Sequence, residues 1–233
     1  EIRLAIDNAK HPCLFFVDTI SSLGSIDYKH DDWGVDVTVG GSQKGLLLPP
    51  GLSFNALSQK AIKAYNKSTL SKSYWDWKPM MDNNKNGFFP YTPATNLLYG
   101  LNEALEILFE EGLENVFKRH KTLAEATRIA VNAWGLEILC KNKDEYSNSL
   151  TAALVPEGYN ADDLRKIILD NYNMSLGTGL SKMKGKIFRI GHLGNFNELM
   201  LAGTLAGVEM GLKISKIPYK PGGIMSALNH LSK

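Results

Sequence analysis

The 233-residue chain is bounded first by what it lacks. Its charge is almost balanced: 26 lysines and arginines against 24 aspartates and glutamates leave a formal +2. That field is too weak to select nucleic acid or an anionic membrane surface. No apolar run approaches the ~18 residues of a membrane span. No basic segment followed by an apolar one opens the chain, as a secretory signal would. The two cysteines, Cys13 and Cys140, stand far apart in apolar settings (CLFFV and LEILC). This argues against a disulfide framework or a metal knot and favours a reducing compartment. His11, His30, His120, His192 and His230 show no zinc-ligand spacing, and neither a Gly-x-Ser-x-Gly elbow nor a Walker loop occurs. Metal and serine-hydrolase chemistry are therefore disfavoured.

What is present is a packed globular composition, 44% apolar and 21% charged, long enough for one large or two modest domains. EIRLAIDNAK opens in the middle of an amphipathic helical pattern, so the expectation is that the start of the protein is missing. CLFFV (Cys13 to Val17) predicts a strand buried on both faces, as in a parallel sheet, ending in the polar loop from Asp18 to Gly24. VDVTV (Val35 to Val39) predicts a second strand, ending in Gly40-Gly41-Ser42-Gln43-Lys44-Gly45. Pro49-Pro50-Gly51 forces a turn before another short extended segment. Residues 60 to 90 read as a long polar excursion, marked by Tyr74-Trp75-Asp76-Trp77. A helix capped by Thr95 or Asn96 and stopped at Gly112 follows, then a second helix to Trp134. Strands over LEILC, LTAALV and KIFRIGHLG, a helix capped by Asn160 and a final helix opened by Asn195 complete a two-layer α/β pattern. The division expected is the end of a parallel-sheet domain (1–95) and a smaller α+β domain (96–233).

Lys44 is the first candidate for chemistry. It lies just past the carboxyl end of a predicted buried strand, where open α/β sheets bind ligands. The glycines around it permit close approach, and Leu46-Leu47-Leu48 would desolvate an amine, as a Schiff-base lysine requires. A solvated surface lysine is the competing reading. Asp18 ends the other strand, and a carboxylate there can keep a pyridine nitrogen protonated; it could equally cap its own loop. Arg189, a strand arginine among apolar neighbours, needs an anionic partner, either a substrate carboxylate held bidentately or an internal acid. Tyr91-Thr92-Pro93-Ala94-Thr95 precedes a helix and offers a phosphate seat or simply a cap. His192 reads as a locally hydrogen-bonded histidine.

VDTISSLGS, VDVTVGGSQKGLLLPPGLSFNALS, SYWDW, FFPYTPATNLLYGLNEALEILFEEGL and FRIGHLGN together resemble the class V branch of pyridoxal-phosphate aminotransferases, over essentially the whole chain. The resemblance implies fold type I, with the second half of the large sheet domain followed by the small domain. It implies transfer of the amino group of serine or alanine to glyoxylate. By that resemblance Lys44 forms the Schiff base with pyridoxal 5'-phosphate, Asp18 partners the pyridinium nitrogen, and Ile20 packs on the ring. Gln43 helps hold the cofactor, Thr92 reaches the phosphate of a neighbouring subunit, and Arg189 grips the substrate carboxylate. Phe89 stands where some relatives have a tyrosine near that phosphate. The family's Ser-Gly-His phosphate loop and its ring-stacking aromatic have no counterpart here. A homodimer acting on small amino and 2-oxo acids in the cytoplasm is the expectation. A ureidoglycine–glyoxylate aminotransferase would share Lys44, Asp18 and Arg189. An inactive fragment or interaction module is the reading from another class, and a cysteine desulfurase is disfavoured because Gln43 replaces the histidine expected before the lysine.

Overall fold

The computed structural model describes residues 1–232. They fall into two compact units, Glu1–Ser21 with Tyr28–Ile107, and Ser22–Asp27 with Leu108 onward.

In the first unit, helix α1 (Ile2–Asn8) leads to strands β1 (Phe16–Asp18), β2 (Val37–Gly41) and β3 (Ser53–Leu57). Helices α2 (Gln59–Tyr65), α3 (Trp77–Asn84) and α4 (Thr95–Glu111) follow, and the boundary between units falls inside α4. The sheet order is β1-β2-β3. β1 runs parallel to β2, with Asp18 opposite Val39, and β3 returns antiparallel, with Ser53 opposite Gly41. β2 is therefore the central strand, and its burial follows: Val37 is wholly enclosed. The expectation of a first strand buried on both faces is corrected. β1 begins three residues later than Cys13 and forms the sheet edge among the described residues, so its Phe16 side chain is 55% exposed.

Asp36 holds these elements together. Its carboxylate accepts from the Phe15 N–H at 2.8 Å and from the Ser58 hydroxyl at 2.9 Å, while Ser58 itself caps α2 by accepting from the Ala61 N–H. Burial pulls the Asp36 carboxyl upward, but these hydrogen bonds and Lys60 outweigh it and leave it below the ordinary carboxylate range. Two helices occupy the stretch expected to be loop, because Ser58 and Asp76 each satisfy amides at a helix start.

The second unit holds α5 (Leu113–Ala133), β4 (Glu137–Ile138), β5 (Leu150–Leu154), α6 (Ala161–Tyr172), β6 (Gly177–Thr178) and β7 (Ile187–Gly191). It ends with α7 (Glu198–Ile214) and α8 (Gly223–Leu231). Its sheet, ordered β4-β5-β7-β6, is antiparallel throughout. Alternation along β7 buries Phe188 and Ile190 completely in the same core as Leu123, Trp134, Leu164, Leu205 and Leu212, and puts Arg189 on the opposite face. The LEILC strand shrinks to Glu137–Ile138. The helix expected to open at Asn195 opens at Asn197, whose side chain accepts from the Met200 N–H. α8 and β6 are additions to the expected pattern: α8 carries apolar residues at helical spacing (Ile224, Ala227, Leu228, Leu231), whereas β6 is only two residues long. Cys13 and Cys140 carry free thiols.

Candidate active site

Because β1 and β2 are parallel, their carboxyl ends lie side by side, which is where open α/β sheets place ligand groups. Asp18 is the last residue of β1 and is exposed. One of its carboxylate oxygens accepts from the Ile20 N–H at 2.9 Å, so the loop-capping role is real; no other partner engages Asp18 among the described residues. The loop beyond it is anchored by Thr19, fully buried, whose N–H and hydroxyl both donate to the Val39 carbonyl at 2.8 and 3.0 Å.

β2 ends at Gly41, and Lys44 follows three residues on. Gly41 lies under a lid of two side chains. A Cβ there would come within 2.9 Å of the Gln43 side-chain oxygen and 3.5 Å of Ile20, so a larger residue would make the Gln43 amide swing aside. Ser42, fully buried, fixes the turn: its hydroxyl donates to the Pro49 carbonyl at 2.8 Å and accepts from the Leu52 N–H at 3.1 Å. The Leu48 N–H returns to the Ser42 carbonyl and the Leu47 N–H to that of Lys44. Lys44 is thus held in a tied loop, half-buried, and its ammonium makes no hydrogen bond or ion pair with any described residue.

Thr92 lies in the same unit, exposed and without a hydrogen bond to any described residue. α4 begins at Thr95, and the Leu98 N–H bonds to the Ala94 carbonyl. The cap position therefore belongs to Ala94, not to Thr95 or Asn96.

Arg189 sits in the second unit, half-buried in mid-β7, and its Nε is enclosed without an acceptor. No described acid pairs with it, so the internal salt bridge considered for it is not formed. Burying a guanidinium N–H without an acceptor is unfavourable.

The segment after β7 is pinned by residues that no motif had singled out. Arg119 donates two bonds to Glu111, at 2.7 and 2.8 Å, and two more to the carbonyls of Gly194 and Phe196, at 2.8 and 3.0 Å. His120, fully buried, donates from Nδ1 to the Val116 carbonyl and accepts the Gly194 N–H at Nε2. His192 likewise donates to the Asn148 carbonyl and accepts from the Thr151 hydroxyl. Burial lowers both histidines, His192 to about 4. The His120 pattern needs a neutral ring, and burial keeps the His192 ring neutral as well, so both are structural pins, in line with the local role expected of His192. His120 falls at helical spacing between Val116 and Leu123, on the buried face of α5, which was a signal for it, whereas Arg119 has none and only its folded contact with 194 and 196 reveals it.

A family model described as Aminotransferase class-V matches residues 2–191. The chain is 50% identical to the serine–glyoxylate aminotransferase of Methylorubrum extorquens, across 99% of its own length and 59% of that protein's. It is 48% identical to the serine–glyoxylate aminotransferase of Hyphomicrobium methylovorum, across 100% of its own length and 58% of that protein's. The solved structure of a ureidoglycine–glyoxylate aminotransferase from Bacillus subtilis superposes with a TM-score of 0.90 at 26% identity, covering all of this chain and 60% of that one. The chain thus spans somewhat under three-fifths to three-fifths of the length of the relatives it matches, and its fold is that of these aminotransferases, the type I fold.

Proposed function

The chain belongs to the class V aminotransferases, and from that premise we propose that the protein moves the amino group of L-serine, or L-alanine, to glyoxylate. The products are hydroxypyruvate, or pyruvate, and glycine. The family implies pyridoxal 5'-phosphate as cofactor, and the residues at the strand ends fit it. A primary amine without a partner among the described residues, a carboxylate with an unengaged oxygen and an aliphatic side chain over a bare glycine lie beyond the carboxyl ends of two neighbouring parallel strands. When bound, the cofactor supplies an aldehyde that condenses with primary amines and a ring that accepts electrons.

Lys44 is the residue that would hold the aldehyde carbon and, once displaced by substrate, act through Nζ as general base and then acid at the substrate α-carbon. Asp18 would keep a proton on the ring nitrogen, Ile20 would pack against the ring face, and Gln43 would complete the cofactor's hydrogen bonding. Arg189 would hold the carboxylate that donor and acceptor share. Thr92 would serve the phosphate of a neighbouring subunit, which makes a homodimer part of the proposal. Residues 1–95 would belong to the large cofactor-binding domain and 96–233 to the small one. No helix of the described residues is long and apolar enough to cross a membrane, and the compartment proposed is the cytoplasm.

The observation that carries the reading is the unpartnered, half-buried Lys44 held beside the strand that delivers Asp18. Substituting Lys44→Ala in the cofactor-loaded enzyme is expected to abolish turnover and the visible absorption of the bound cofactor. Activity and absorption that both survive would overturn the assignment. The fit to the ureidoglycine–glyoxylate structure supports a second donor, and a panel of amino donors assayed against glyoxylate separates it from serine and alanine. An inactive fragment predicts that this chain, given cofactor and borohydride, acquires no reduced adduct at Lys44.

A further inference from the structure

Arg189 faces a bare stretch of backbone. β6 consists of Gly177, opposite Arg189, and Thr178, opposite Phe188. A Cβ placed on Gly177 would stand 3.0 Å from the Arg189 Cβ and 3.1 Å from its Nε. Facing Cβ atoms of paired strands ordinarily stand about 4.5–5.5 Å apart. A side chain at position 177 would therefore force Arg189 to give by a few tenths of an ångström, and the arginine lies across the gap with Nε enclosed and unpaired.

β6 is not free to yield. On one flank of Gly177, the Leu176 carbonyl accepts from Arg165 Nε at 2.8 Å. On the other, the Thr178 hydroxyl donates to an Asp162 carboxylate oxygen at 2.8 Å, and Arg165 donates to that same oxygen at 2.8 Å. Asp162 and Arg165 belong to one helix, α6, so both ends of the short strand are fastened to a rigid element. Bulk added at position 177 is passed to the Arg189 side chain, the softer of the two partners.

We propose that Gly177, fastened by the Asp162–Arg165–Thr178 clamp, is a positioning residue that sets the direction of the Arg189 guanidinium and hence the affinity for α-carboxylates. The inference rests on Arg189 being the residue that binds substrate carboxylate. Since amino donor and 2-oxo acid both carry that group, loss of positioning weakens both to a similar degree and touches the proton-transfer machinery little.

The test compares Arg189→Lys, Gly177→Ala, Thr178→Val, Thr178→Ser and Gly191→Ala in the full-length, cofactor-loaded enzyme. KM and kcat are measured for donor and for glyoxylate, alongside the urea unfolding midpoint. A Cβ at Gly191, on the same β7, meets nothing within 4 Å, so that variant is the control for added bulk. Gly177→Ala is expected to raise both KM values by about tenfold, the weight of one charge-assisted hydrogen bond, with kcat nearly kept. Thr178→Val is expected to follow in the same direction, Thr178→Ser to restore wild-type values, and Gly191→Ala to change neither. If Arg189→Lys raises both KM values while Gly177→Ala leaves them unchanged, the positioning role is refuted and the role of Arg189 stands. If Arg189→Lys leaves them unchanged, both are refuted. Should Gly177→Ala fail to fold, the threonine pair decides: a KM rise reversed by serine supports the proposal, and no rise refutes it.

Discussion

Glu209 of α7 is the acceptor on which three donors from other elements converge, and its removal gives a sharp test of how the second unit is held. Trp134, at the end of α5 and 1% exposed, donates its indole N–H to Oε2 at 2.7 Å. The N–H groups of Gly222 and Ile224, at the start of α8, donate at 2.8 and 3.1 Å. Burial pulls this carboxyl upward, but the donors outweigh it and hold it below the ordinary range. In Glu209→Ala the indole N–H is stranded away from water, which costs about 1–3 kcal/mol. α8 also loses the acceptor at its amino end, about 1 kcal/mol more. The sum, about 2–4 kcal/mol, is a large part of the ~5–15 kcal/mol that holds a typical domain. Urea unfolding followed by tryptophan fluorescence is expected to show the midpoint falling with the slope unchanged. In a Trp134→Phe background the same substitution should cost about 1 kcal/mol less, since the stranded donor is gone. A loss below about 1 kcal/mol, or no coupling to Trp134, would refute the idea that this carboxylate joins α5, α7 and α8.

Acid should loosen the same unit in a defined window. His192 stays neutral in the fold down to about 4, whereas in the unfolded chain it takes up a proton near 6.5, so the unfolded state binds more protons between those values and stability falls as pH falls. The effect is at most about 3 kcal/mol, and His120 is shifted in the same direction. Urea midpoints should therefore already drop between about pH 7 and about pH 5.5, above the range where carboxylates protonate; a flat profile there would contradict the buried neutral rings. Arg119→Lys replaces a four-bond fork with a point charge and should destabilise by about 2 kcal/mol or more in the same assay, because the Gly194 and Phe196 carbonyls cannot all be satisfied by one ammonium.

Punctuation in the chain was readable at some positions where a local rule applied and misread at others, as at Thr95 and Asn195. Asn160 caps α6 and Gly112 separates α4 from α5, because capping depends on residues a few places apart, whereas the strand expected over Val35–Val39 is shifted to Val37–Gly41, the two glycines staying in the ladder with β3. The same reading placed Asp18 and Lys44 beyond two strands. It missed what depends on partners. Phe16 reads as core by composition, yet β1 is paired on one side among the described residues and its face is open. Asn195 and Asn197 are equally good caps in isolation. Arg119 holds the carbonyls of 194 and 196, and the chain enters α7 only after that fixed segment.

Lys44, Asp18 and Arg189 are chemically conspicuous in one dimension, since an amine, a carboxylate and a guanidinium at strand positions or strand ends carry their meaning in short-range context. Which of them are left without an internal partner is another matter. The loop tied by Ser42, the indole that finds Glu209, and the glycine beneath Arg189 are pairings between residues distant along the chain. Their energies exist only once desolvation has removed water as the alternative partner, and that is a property of the packed molecule.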